Sequence, residues 1–94
     1  MRDLHDWTLS SIHFEWKEAR AALIFEGDSA TYILIARQVR DLHVPHREGW
    51  GPSVSVNTVK GPVEIAGGAK QLTIEMQSGD EIAVTAVDFV LELA

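Results

Sequence analysis

Apolar and polar residues alternate along this chain with a period of two, interrupted every few residues by turn-forming clusters, and this constrains its fold more than any other feature. Ile12, Phe14 and Trp16 take every second position with His13 and Glu15 between them, so on an extended backbone the three large side chains stand on one face. Leu72, Ile74 and Met76 alternate in the same way with Thr73, Glu75 and Gln77, and Ile82 and Val84 resume the series after Ser78-Gly79-Asp80. A helix would scatter these side chains around its circumference; a strand gathers them. Residues 21–25 and 31–36 are apolar at nearly every position, the pattern of strands covered on both faces at the centre of a sheet.

Turn signals divide the rest. Leu42 and Val44 suggest a short strand ended by Pro45, which has no N–H to give to a ladder. Val54 and Val56 mark another, Lys60-Gly61-Pro62 a turn, Val63 and Ile65 a further strand, and Gly67-Gly68 another turn. The expected fold is all-β: an antiparallel β-sandwich or small barrel of seven or eight short strands, with room for one short helix at 3–11 or in the C-terminal segment. Residues 1–94 form one domain, because 94 residues supply material for one core only. Sharing one face among the large residues pairs Trp16 with Ala21, Phe14 with Leu23 and Ile12 with Phe25. In the last hairpin the same criterion pairs Met76 with Ile82 and Ile74 with Val84. After Ala86 the apolar positions change parity to Val87, Phe89, Leu91 and Leu93, which requires a bulge or bend to keep them inward.

Charge and composition exclude several kinds of function. Eight Lys/Arg against fourteen Asp/Glu leave a net charge of −6, the wrong sign for gripping a phosphate backbone through counterion release. No nucleic-acid partner is expected. Residues 61–94 carry six of the carboxylates against Lys70 alone, a balance of −5, and this acidic surface suits a basic protein partner. With no cysteine there is no disulfide, thiolate metal site or cysteine nucleophile. No apolar run approaches the roughly 20 residues of a membrane-spanning helix, and residues 1–6 lack the features of an export signal. A cytoplasmic location, with no membrane partner, is therefore expected.

The loop 46–53 concentrates the groups best suited to recognition: His46, Arg47, Glu48, Trp50 and Ser53, flanked by Pro45 and Pro52 and punctuated by Gly49 and Gly51. Trp50 has two readings there, an anchor for a partner or a plug over the end of the core. His5, His43 and His46 are the candidates for a metal site, but His43 and His46 point to opposite faces of a regular strand unless Pro45 redirects the chain. His5-Asp6 pairs a base with a carboxylate, and Trp7 is expected to pack inward. The chain has no Gly-x-Ser-x-Gly elbow, phosphate-binding glycine loop or paired-histidine zinc motif. No catalytic residue and no cofactor is assigned, and the chain reads as non-enzymatic.

Three segments carry a resemblance: Leu4-His5-Asp6-Trp7; Val44-Pro45 with Trp50-Gly51-Pro52-Ser53-Val54-Ser55-Val56-Asn57; and Glu75-Met76-Gln77-Ser78-Gly79-Asp80. Together they resemble small bacterial β proteins similar in style to the immunity proteins of polymorphic-toxin systems. The resemblance implies a small protein-binding module and brings no catalytic residues with it. Three functions follow as expectations: a protein-binding module using the 46–53 loop and an adjacent acidic surface, a small-molecule or metal-binding β module, and a structural self-association domain that forms a homodimer. An apolar-lined pocket beside the loop would favour a ligand, and an exposed aromatic patch would favour a protein.

Overall fold

A computed structural model of the chain describes residues 4–47 and 54–94. Six strands run through them: β1 (Thr8–Glu15), β2 (Arg20–Glu26), β3 (Thr31–His43), β4 (Val56–Glu64), β5 (Lys70–Met76) and β6 (Glu81–Leu93). All pairings are antiparallel, in one sheet of order β1-β2-β3-β6-β5-β4. The all-β expectation holds, and no helix occurs among the described residues. The short helix allowed at either end is therefore corrected: Leu4 leads through a turn into β1, and the C-terminal segment is β6.

The expected seven or eight short strands in a sandwich or barrel become six strands in a single sheet, because two apparent breaks are bends within one strand. The piece at 31–36 and the start of the piece at 42–44 are both β3, 13 residues long and ending at His43. Gln38 adopts a left-handed φ of 54°, and the β3–β6 register slips between Val39 and Asp41. Each irregularity moves the inward face by one residue. The core positions of β3 accordingly pass from Leu34 and Ala36 to Val39 and then Leu42. Opposite this bend, Ala86 and then Phe89 and Leu91 face the core, so the parity change in β6 is met as the alternation requires. In β4 the Lys60-Gly61-Pro62 turn is a bulge within a strand, with the register to β5 shifting between Lys60 and Val63. Gly61 has φ +98°, and a Cβ there would lie 2.6 Å from the Gln71 carbonyl oxygen. Only glycine fits.

Through these bends the sheet folds over on itself. Leu23, Phe25 and Leu34 from one half share a core cluster with Val56, Ile74 and Val84 from the other. Each such side chain, fully buried, contributes about 1.5–3 kcal/mol. The outer strands meet where Thr8 bridges Ser55; Leu9 N–H donates to the Val54 carbonyl and Val56 N–H to the Trp7 carbonyl, both at 2.8 Å. Leu4, fully buried, anchors the lead-in segment. Trp7 packs inward as expected, its ring 4.9 Å from that of Tyr32 and against Gly27. No polar or charged side chain is buried among the described residues.

Both expected registers keep their faces and slip along the strand. In the terminal hairpin Ile74 faces Ile82 and Leu72 faces Val84, in place of Met76 with Ile82 and Ile74 with Val84. All five side chains are buried, as alternation demands. The turn sets the offset: Gly79 N–H donates to the Met76 carbonyl, Met76 N–H to the Asp80 carbonyl, and Gly79 takes φ +95°. This three-residue loop with a left-handed glycine closes the ladder one residue earlier on each strand. At the first hairpin Phe14 faces Ala21 and Ile12 faces Leu23, correcting the pairs Trp16–Ala21, Phe14–Leu23 and Ile12–Phe25. The ladder ends at Glu15–Arg20 and the turn takes four residues, 16–19, with Ala19 at φ 48°. Trp16 consequently leaves the core face.

Candidate binding site

The loop that drew attention in the sequence begins where β3 ends. Residues 44–47 leave the sheet beside the β5–β6 turn, with His46 and Arg47 exposed. Arg47 N–H donates to Asp80 Oδ2 at 3.1 Å, and Ser78 Oγ donates to the same oxygen at 3.1 Å. Asp80 N–H returns to Ser78 Oγ at 3.4 Å. The Ser78-Gly79-Asp80 turn is thus a clamp on the start of the loop. Glu48, Trp50 and Ser53 lie outside the described residues.

Two clefts flank this clamp. One, of about 230 Å³, has apolar walls from Leu9, Ile12, Val44, Val54, Met76 and Ile82, with His46 and Asp80 at its rim. The other, of about 320 Å³, lies between His43, Pro45 and Arg47 on one side and Asp80 and Glu81 on the other. Next to it Glu75 and Glu81 stand directly opposite one another across β5 and β6. Like charges at facing positions destabilise a sheet. Glu75 is partly offset by Asn57 Nδ2, which donates to its Oε1 at 2.5 Å; Glu81 is exposed.

The histidines do not converge. His5 Nδ1 donates to the Asn57 carbonyl at 2.6 Å, and its Nε2 lies 3.5 Å from Asp6 Oδ2. Asp6 in turn accepts from Gln77 Nε2 at 2.5 Å. These bonds tie the lead-in segment to β4 and to the β5–β6 turn, so the His5-Asp6 pair sits in a structural network across three segments. His43 and His46 border different clefts. Among the described residues no three His, Asp or Glu side chains are placed to hold a metal ion, and the set His5, His43 and His46 is not brought together.

One surface was missed in the sequence. Trp16, assigned there to the core face, is 87% exposed and Phe14 39% exposed. Their rings meet edge to face at 5.8 Å. They border a cleft of about 460 Å³ lined also by Ala19, Val39, Arg40, Asp41 and Leu42. The signal that would have found it is the four-residue turn 16–19, which takes Trp16 out of the ladder. Among the described residues no helix is long and apolar enough to cross a membrane.

Compared with protein-family models, curated proteins and solved structures, the chain matches none.

Proposed function

We propose that this chain is a non-enzymatic protein-binding module of the immunity type, which engages a basic protein partner through the 46–53 loop and the acidic β5–β6 hairpin. The hydrogen bond from Arg47 N–H to Asp80 carries this reading, because it joins the start of the loop to the acidic turn and makes one surface of two elements. Facing carboxylates at Glu75 and Glu81 strain the sheet when free and are relieved by cationic side chains brought by a partner. A small-molecule reading rests on the apolar cleft beside the loop. At about 230 Å³ that cleft is smaller than the roughly 300–1,000 Å³ of ligand pockets, whereas the cleft on the other side of the clamp, at about 320 Å³, falls within that range.

Asp80→Ala tests the joint. The variant loses two hydrogen bonds, each contributing about 0.5–1.5 kcal/mol, so the denaturation midpoint falls modestly and the fold persists. Affinity-tagged wild-type protein is expected to retain a basic protein from a lysate of its source cells, and Asp80→Ala to lose it. Retention of the same protein by the variant in equal amount would remove the clamp from the site.

A further inference from the structure

We infer that protonation of His5 tightens the seam at which the folded sheet closes on itself, which makes the lead-in segment a pH-sensitive latch. The latch stands whether or not the loop and hairpin bind a partner. At the seam Thr8 bridges Ser55, and the lead-in residues extend the contact: Asp6 N–H donates to the Val56 carbonyl and Val56 N–H to the Trp7 carbonyl, each at 2.8 Å. The same segment seats Leu4 in the core. Holding it down therefore holds the closure.

His5 meets an acceptor at each ring nitrogen. Its Nδ1 lies 2.6 Å from the Asn57 carbonyl oxygen, which can only accept, so Nδ1 carries a proton. In the neutral ring Nε2 then carries a lone pair, and Asp6 Oδ2 lies 3.5 Å from it. Two acceptors oppose one another there. The imidazolium has an N–H at both nitrogens and satisfies both contacts at once. Asp6 is held in place by Gln77 Nε2, which donates to its other oxygen, Oδ1, at 2.5 Å. The charges that the described residues bring to this cluster are negative: Asp6 on the lead-in segment and Glu75 on β5, which accepts from Asn57 Nδ2. Asn57 on β4 and Gln77 on the β5–β6 turn are neutral. Both carboxylates favour the cation.

The sign follows from the partners that opening removes. A lead-in segment that lifts off the sheet takes His5 away from the Asn57 carbonyl, so the closed seam binds the proton more tightly than the open one. Closure is then favoured as pH falls through the imidazole range and weakened as pH rises through it. The side chains of His5 and Asp6 are 53% and 71% exposed, so water screens their attraction and the effect is modest.

Native-state amide exchange at about pH 5.5 and about pH 7.5, either side of the ordinary imidazole value of about 6.5, reads local opening of the latch. The Asp6 and Val56 amides are followed as protection over their intrinsic rates, each relative to amides of the β2–β3 ladder so that a change in global stability cancels. Wild type is expected to protect these two amides about 1.5- to 5-fold more at the lower pH, the range of an exposed ion pair. His5→Gln keeps a donor for the Asn57 carbonyl but does not titrate, and its ratio is expected to be the same at both pH values. Asp6→Asn suits the left-handed φ of 66° at that position and can still accept from Gln77; it is expected to lose the rise as well. A wild-type ratio that does not change with pH would overturn the inference. So would a rise that persists in His5→Gln, which would assign the proton to another group, or one that persists in Asp6→Asn, which would remove the carboxylate from the latch.

Discussion

Gly27 shows how one missing methyl group sets the packing of a large ring. A Cβ placed there would lie 2.7 Å from Trp7 Cε2 and 2.9 Å from Cζ2, and the rigid indole has Tyr32 at 4.9 Å to limit its retreat. Gly27→Ala is therefore expected to cost about 1–3 kcal/mol by overpacking, read as a lower urea midpoint with an unchanged slope. Gln38 makes the opposite case. Its φ of 54° is unfavourable for a residue with a Cβ, by about 1–2 kcal/mol, and its side chain is exposed. Gln38→Gly is expected to raise stability by about 0.5–1 kcal/mol once the added freedom of the unfolded chain is subtracted, and Gln38→Val to lower it. Equal midpoints for all three would mean that the bend is not held at this residue. Trp7 facing inward was legible in the sequence; Gln38 was not, since no side-chain preference marks a glutamine for a left-handed turn.

At the scale of elements, alternation fixes which face a residue takes and leaves its partner open. A slip of one residue on each of two paired strands returns every side chain to its original face. Met76, Ile74, Ile82 and Val84 are buried in either register, so the sequence pattern is equally satisfied by Ile74 facing Val84 and by Ile74 facing Ile82. Turn geometry decides between them. In solution, cross-strand Hα contacts are expected across β5 and β6 in the observed register, linking the strands at close non-hydrogen-bonded pairs such as Thr73–Ala83. Contacts placing Met76 opposite Ile82 would reinstate the slipped register. The same reasoning explains Trp16: parity places it with Ile12 and Phe14, but a four-residue turn removes it from the ladder after Glu15. Bends are as hard to read as offsets. Lys60-Gly61-Pro62 and the stretch from Arg37 to Asp41 look like ends of strands because their patterns break, yet hydrogen-bonded pairing continues on both sides of each.

At the scale of the whole molecule, folding one sheet over on itself brings distant segments together. Lead-in residues 4–7, the start of β4 and the β5–β6 turn become one surface, bonded through Asp6 to Gln77 and Gln77 N–H to the Ser55 carbonyl. Alternation alone gives no reason for these three segments to meet. Residues 44–47 leave the sheet at this surface, where Arg47 N–H meets Asp80. The proposed partner face should therefore hold charge that opposes folding and favours binding. Glu81→Lys separates those two effects on one variant. It converts the facing Glu75–Glu81 pair into opposite charges, a change of about 0.2–1 kcal/mol in favour of the fold. The central measurement is the affinity of this variant for the basic protein retained by wild type, taken together with its denaturation midpoint. The account expects a midpoint equal to or above wild type and binding weakened at least about 10-fold, as when a charge at an interface is reversed. Unchanged binding with a raised midpoint would contradict it and leave the acidic hairpin as a solvated face.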